Sequence, residues 1–477
     1  MQRSRLAAVG VLLVACAAAL AAPADYKDLS FPPLREQSLP DIARVELPNG
    51  MLVLLCEDHE LPLIDVSAMI GTGSAWEPPE TLGLADLTGE VMRTGGTARM
   101  TGDEIDAALE RIAASVETGI GVTAGHASLS ALKEHFDTAL AILADVLMRP
   151  AFAPEKIELA KLAAHTAISR RNDDPREVSG REYAKLIYGP RSPYARHPEH
   201  ATIDAIARDD MVAFHRRFFT PDNCIIGVWG DFEKEAMRAK LEKAFAAWPR
   251  GAGPMRVSGS AAGCDHEASV NLARKDEMHQ AYVTMGHVGG LLSDRDRPAL
   301  IVMNTILGGS PTSRLFTTVR SRMGLAYSVR GSYGAGFNYP GLFIVSCQTK
   351  SESAIVAINA MRREIERIIA EPVTDEELAK AKDYYLNTFV FRFDTTGEVL
   401  ARALEYEYHG YPPDFLQRER EGVARVTKED VMRAAAARLR PDKLQILVVG
   451  NPEKFDAPLS SLGEVRAVDI AIPEPAK

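Results

Sequence analysis

The side chains of this 477-residue chain whose spacing invites chemistry are a carboxylate pair and a guanidinium with a phenol. Asp86 and Glu90 stand four apart in GLADLTGEVMRTGG, residues 83–96, and on a helix they share a face. Such a pair could hold a hard cation with help from other oxygens, but two carboxylates without a supporting cage make a poor site. The plainer expectation is two solvated acids beside a cleft. Arg320 and Tyr327 stand seven apart in RSRMGLAY and offer a fixed cation and a phenol donor. Their bland reading is an arginine on a helix face and a tyrosine opening a strand. His197 and His200 lie in RHPEHATID, where the proline argues for a surface turn rather than a helical ligand pair.

These residues need elements to hold them, and the hydrophobic pattern supplies them. Residues 45–56, VELPNGMLVLLC, read as a hairpin turning at Asn49-Gly50, and Ile64 to Ile70 as a further strand. A helix begins near Leu82. Residues 100–109, 133–147 and 154–171 have helical spacing, and 116–129 alternates as a strand. Ala167 falls on the last of these helices.

The chain is long enough for two cores. Residues 203–234 align without a gap onto 423–454, so that Asp210, Pro221, Asp222 and Gly230 meet Asp430, Pro441, Asp442 and Gly450 at a constant offset of 220. Upstream, the Glu-Leu-Ala-Lys at 158–161 recurs at 377–380. Each half therefore ends in a helix, a Pro-Asp turn and an apolar strand, the signature of an α/β unit. The seam lies in GAGPMRVSGSAAGC, a Gly/Ser/Pro-rich linker at 251–264. The domains expected are 25–250 and 265–465, two lobes with a cleft between them.

Composition narrows the partners. A net charge of -10 with no basic stripe argues against nucleic acid. Residues 1–24 read as a signal peptide: Arg3 and Arg5, an apolar run from Leu6, then A-x-A sites at 19–21 and 22–24. Leu13-Val14-Ala15-Cys16 also resembles a bacterial lipobox, so a lipid anchor at Cys16 is the second option. No later stretch reaches the 18 or so apolar residues of a membrane span. The destination expected is the periplasm or envelope of a bacterium. Cys56, Cys224, Cys264 and Cys347 have no C-x-x-C spacing and are expected as buried thiols.

Residues 71–97, GTGSAWEPPETLGLADLTGEVMRTGGT, resemble the signature of the pitrilysin/insulinase metallopeptidases, mitochondrial processing peptidase-like subfamily. There a G-S-x-x-E-x-P loop leads into G-L-A-H-x-x-E-H-M, an inverted zincin motif with two histidine ligands and a glutamate base. Gly73, Ser74, Glu77, Gly83, Leu84, Ala85, Met92, Gly96 and Thr97 match that frame. The ligand positions hold Asp86 and Glu90, and the base position holds Gly89. The family's third ligand, a glutamate before D-D-P, falls on Ala167. Residues 304–333 resemble the family's second signature, in which the arginine and tyrosine of R-x-x-x-G-L-A-Y hold the peptide backbone and stabilise the oxyanion. Arg320 and Tyr327 match that pair, and Gly308 and Gly309 resemble its glycine-rich substrate loop.

The resemblance implies an α+β fold of two duplicated processing-peptidase-like α/β lobes joined by a linker. It also implies a chain with no metal of its own, similar to the non-catalytic subunit of a heterodimeric bacterial member. The expected partner is a zinc-bearing H-x-x-E-H homologue, the expected ligand a peptide, and the roles of Arg320 and Tyr327 are peptide binding and oxyanion stabilisation. A non-hydrolytic peptide-binding or scaffolding module is the alternative. A third reading is a peptidase with an unorthodox metal at Asp86 and Glu90.

Overall fold

The computed structural model describes residues 40–257, 264, 266–393 and 395–474. The expected signal peptide, the expected lipobox cysteine and part of the expected linker lie outside the described residues. No helix among the described residues is long and apolar enough to cross a membrane.

The first lobe runs β1 (Ile42–Glu46), β2 (Leu52–Glu57), β3 (Leu63–Ile70), α1 (Leu84–Thr94), α2 (Gly102–Arg111), β4 (Ser115–Ile120) and β5 (Gly125–Leu132). It continues with α3 (Phe136–Met148), α4 (Pro154–Arg170), α5 (Pro175–Tyr188), α6 (His200–Ala205), α7 (Arg208–Phe218), β6 (Cys224–Gly230) and α8 (Lys234–Phe245). The second lobe runs β7 (Ser269–Arg274), β8 (Gln280–Val288), β9 (Gly290–Leu291), α9 (Arg297–Asn304), β10 (Ala326–Tyr333), β11 (Ala335–Gly336) and β12 (Leu342–Lys350). After it come α10 (Ala354–Ala370), α11 (Asp375–Thr388), α12 (Thr396–His409), α13 (Phe415–Arg425), α14 (Lys428–Arg438), β13 (Gln445–Gly450) and β14 (Val465–Ala467).

The repeat seen in the sequence is a structural one. The first sheet has the order β1-β2-β6-β3-β5-β4 and the second, taken from its other edge, β14-β7-β13-β8-β12-β10. In each, the first inner pair is parallel and the following three pairs are antiparallel. Helices α7 and α14 begin and end at the offset of 220. Residues 45–56 form the expected hairpin β1–β2. The alternating run 116–129 differs from expectation. It is the hairpin β4–β5, because Gly121 N donates to Ala124 O (2.8 Å) and turns the chain in the middle of an unbroken alternation. His200 is also corrected: it opens α6, is buried, and stacks on His165 at 5.0 Å rather than lying in a surface turn. Glu199 precedes it as the helix cap, so the proline ends before the helix begins.

Each sheet packs one face on helices of its own lobe. In the first, Val53, Val66 and Leu129 meet Leu87, Leu140 and Phe214; in the second, Val283, Val345 and Val448 meet Leu300, Ile358 and Val431. The opposite faces are covered by exchange. Helix α12 of the second lobe lays Leu400, Leu404 and Tyr408 against Leu54, Met69 and Ile225 of the first sheet. Helix α5 of the first lobe lays Val178, Tyr183 and Ile187 against Ala273, Leu447 and Val449 of the second. Buried polar contacts register the exchange: Ser179 Oγ lies 2.8 Å from Thr284 Oγ1, and Tyr408 OH donates to Thr123 O (2.8 Å). All four described cysteines are buried and free.

Candidate functional site

The loop before α1 is built around Glu77. Its side chain is buried and accepts from Ala85 N (2.5 Å), supplying an acceptor to the orphan amides of the helix N-terminus. Burial pushes this carboxyl up, against the amides of Ala85 and Gly83 and the charge of Arg196, which pull it down. Arg196 donates to Ser74 O (2.8 Å) and Glu77 O (2.8 Å), clamping the loop from outside. Gly83, at φ 101°, occupies the left-handed region at the helix start, where a Cβ would also meet Ile203 at 2.6 Å. The residues that carry the motif's frame are thus those that shape the loop and cap the helix.

On the helix they position, Asp86 and Glu90 are solvent-exposed and share one face. Among the described residues neither carboxylate has a hydrogen-bonding or ion-pair partner. Surrounding protein still pushes both carboxyls up, and Asp86 raises Glu90 further. Between them, Gly89 is buried, and its carbonyl accepts from Thr118 Oγ1 of β4 (2.6 Å). A Cβ at 89 would lie 2.7 Å from Ile120 N and 2.9 Å from Gly119 Cα. Ala167 is exposed on α4.

Zinc does not fit this set. Its usual protein ligands are imidazole, thiolate and carboxylate in a closed or three-point array, whereas these positions give two carboxylates, a methyl group and a glycine. Among the described residues no group of three or more His, Cys, Asp or Glu side chains is arranged to hold a metal ion.

The second lobe's candidates gather around the start of β10. Helix α9 widens into a π-helical turn at Thr305–Gly309, and another π-helical segment spans Phe316–Arg322. Such widening is rare and is frequent at functional sites. Gly308 sits in the first turn and Arg320 in the second. A Cβ on Gly308 would lie 2.4 Å from Gly331 N of β10, so this glycine lets the helix touch the strand. Gly309 is exposed, with Asn304 packed against it. The Arg320 guanidinium lies over the Phe316 ring at 4.5 Å, a cation–π contact that holds it against its own helix. Tyr327 falls where the pairing with β12 slips between Ala326 and Ser328, and this bulge leaves the phenol 83 % exposed. Arg320, Tyr327, Gly308 and Gly309 therefore lie on β10 and on the two π-helical segments that pack against it, all in one lobe. Among the described residues no hydrogen bond or ion pair joins them to Asp86 or Glu90 of the other.

Two features escape inspection of the sequence. Arg314, between the π-helical segments, is buried and donates twice to Glu377 of α11 (2.7 and 3.0 Å), while its Nη1 has no partner among the described residues. The recurrence of Glu377 in the Glu-Leu-Ala-Lys repeat was the available signal. Near Ala167, His165 Nδ1 approaches His200 Nδ1 at 2.7 Å, and His165 Nε2 pairs with Asp204 at 3.0 Å. Nothing in their spacing announces that chain.

Known proteins resemble this chain over most of its length. The family model described as insulinase (peptidase family M16) matches residues 52–185, and the one described as peptidase M16 inactive domain matches 205–385. An uncharacterized zinc protease, YmxG of Bacillus subtilis, is 26 % identical over 76 % of this chain and 87 % of its own length. A non-peptidase homolog, YmxG of Helicobacter pylori, is 23 % identical over 84 % of this chain and 92 % of its own. The peptidase M16 inactive domain structure from Pseudomonas fluorescens superposes with a TM-score of 0.76 at 22 % identity, covering 86 % of this chain and 98 % of that one.

Proposed function

The chain belongs to the insulinase family, peptidase family M16, and from that premise we propose that it is a zinc-free, non-catalytic subunit of an envelope metalloendopeptidase. In this reading it pairs with an H-x-x-E-H homologue that carries the zinc. Arg320 and Tyr327 then serve a peptide held between the two chains: the guanidinium holds the backbone carbonyl, and the phenol donates to the oxyanion formed as water attacks. Gly308 and Gly309 shape the loop that the peptide meets.

One observation carries the proposal: the two lobes differ in what they have kept. In the first, every position of the ligand set is replaced and the base position is packed against β4. In the second, Arg320 sits on a π-helical turn and Tyr327 on a bulge that exposes it almost completely. A bulky phenol at 83 % exposure adds nothing to a core, and an arginine stacked on its own helix adds little to the fold. Both are presented outward, which suits donors that complete a site on another surface. The apolar run and small-residue sites at 1–24 support secretion to the periplasm or envelope, with or without lipid on Cys16.

The test is purification of the tagged chain from its own host and an assay on a quenched peptide, with the chain made alone elsewhere as comparison. Chelator-sensitive activity only in the native preparation, with a co-purifying zinc-bearing chain, is the expected result. Arg320→Ala should then lower turnover, and Tyr327→Phe should lower it by about 100-fold, the usual effect of losing one oxyanion donor. Unchanged turnover sinks the assignment and leaves a peptide-binding or scaffolding module.

A further inference from the structure

A cavity of about 240 Å³ opens at the seam between the lobes, and its lining includes no residue of α1 and neither Arg320 nor Tyr327. From the first lobe it is walled by Met69, by Val122 in the β4–β5 turn and by His126 of β5. From the second it is walled by Phe337, Glu405 and His409. Nothing in the proposed peptidase role uses it.

Glu405 and His126 favour one kind of guest. Glu405 is its one charged lining residue. Arg402 donates to Glu405 Oε2 (2.6 Å), which leaves Oε1 without a partner among the described residues. His409 lies face to face with Phe337 at 4.0 Å, its Nδ1 3.2 Å from Asn338 Nδ2. Burial pushes His409 down to about 4, helped by Arg256, and burial also lowers His126. At neutral pH both rings are therefore uncharged; Asn338 Nδ2 takes the Nδ1 lone pair of His409, and His126 keeps one to offer. An anion would meet the Glu405 carboxylate with no lining cation to offset it. An apolar guest would leave Glu405 Oε1 and the His126 ring desolvated without a partner. A cationic donor satisfies Glu405 Oε1 and the free ring nitrogen of His126.

Size selects further. The volume lies below the 300–1,000 Å³ or so of sites for drug-sized ligands and suits a single extended side chain. We propose that this interlobe cavity binds an alkylguanidinium or alkylammonium group, the side chain of arginine or lysine, between Glu405 and the apolar wall of Met69, Val122 and Phe337. Because its walls come from both lobes, a bound group touches both at once.

The proposal is independent of any partner chain or hydrolysis, so the chain purified alone tests it. Nα-acetylarginine amide and its uncharged isostere Nα-acetylcitrulline amide are titrated by calorimetry against the wild type, Glu405→Gln and Val122→Trp. The arginine probe should bind saturably and at least about tenfold more tightly than citrulline. Glu405→Gln should cut that preference to about twofold or less, and Val122→Trp, which fills the cavity from an exposed turn, should abolish binding. Equal affinity for the two probes, a preference that survives Glu405→Gln, or no saturable binding to the wild type would overturn it. Should Glu405→Gln fail to fold, the Val122→Trp result decides.

Discussion

Gly89 of α1 and Gly308 of the α9 extension hold matching places in the two lobes, each pressed against a glycine of its sheet's edge strand. The contacts are Gly89 on Gly119 of β4 and Gly308 on Gly331 of β10. The helix that carries zinc chemistry in catalytic relatives is thus packed, in this chain, as its own second lobe packs the corresponding helix.

Restoring the missing ligands should therefore not restore catalysis. The combined Asp86→His, Gly89→Glu, Glu90→His, Ala167→Glu variant is expected to lack peptidase activity. Gly89→Glu alone should cost about 1–3 kcal/mol, because its side chain meets the Ile120 amide and forces α1 away from β4. Thermal melts of the single variant and zinc-loaded assays of the combined one check this. An active, undestabilised variant would show that the helix has room to spare.

The Arg314–Glu377 pair should matter more than an exposed ion pair. Arg314→Ala leaves a half-buried carboxylate without its fork of donors and is expected to cost about 2 kcal/mol or more. Burial raises the Glu377 carboxyl, but the bonds from Arg314 and the Thr374 amide outweigh it and hold it below its usual range. A depressed carboxyl stabilises the fold above its unfolded value and loses that contribution as pH falls through the folded one. The gap between wild type and Arg314→Ala should hence be full at pH 7 and close below about pH 4. Chemical denaturation at several pH values reads it.

His215 has the opposite chemistry and the same direction. Burial lowers it from 6.5 to about 4, although its ring bonds Leu147 O at 2.9 Å. The unfolded chain takes up a proton near 6.5 and the folded one does not, so stability falls between pH 6.5 and about 4. His215→Gln should flatten that limb of the stability profile while costing about 1–3 kcal/mol at pH 7 from lost ring packing on Phe219 and Phe152. An unchanged slope would assign the limb elsewhere.

Tyr183 supplies a prediction of the other sign. Its phenol is fully buried at the α5–second sheet contact and has no hydrogen-bond partner among the described residues. Tyr183→Phe removes an unsatisfied group and should leave stability unchanged or raise it by about 1 kcal/mol. Gly286→Ala beside it should be severe. There φ is 156° and a Cβ would lie 1.8 Å from Phe343 O.

The sequence carried the repeat to the residue, because a Pro-Asp turn between helix and apolar strand leaves an unambiguous pattern. It also carried the hairpin at Asn49-Gly50 and the loss of the ligand set. It did not carry the role of Gly89, since a helix glycine looks the same whether it is tolerated or required. Nor could it show what covers Leu52–Glu57 and Cys224–Gly230: continuous apolar runs announce burial on both faces without naming the partner. Arg314 and Glu377 stand far apart in sequence, and only the folded chain reveals that one anchors the other.

The exchanged helices also set a timetable for biosynthesis. Every strand of the first sheet has been made by Gly230, but the residues that shield its outer face, Leu400, Leu404 and Tyr408, leave the ribosome much later. Until then Leu54, Met69 and Ile225 form a naked apolar strip, the kind of surface that holdase chaperones capture and that nascent chains aggregate through. A truncated first half should need detergent or a chaperone to stay in solution, and supplying residues 266–474 as a separate polypeptide should relieve that need.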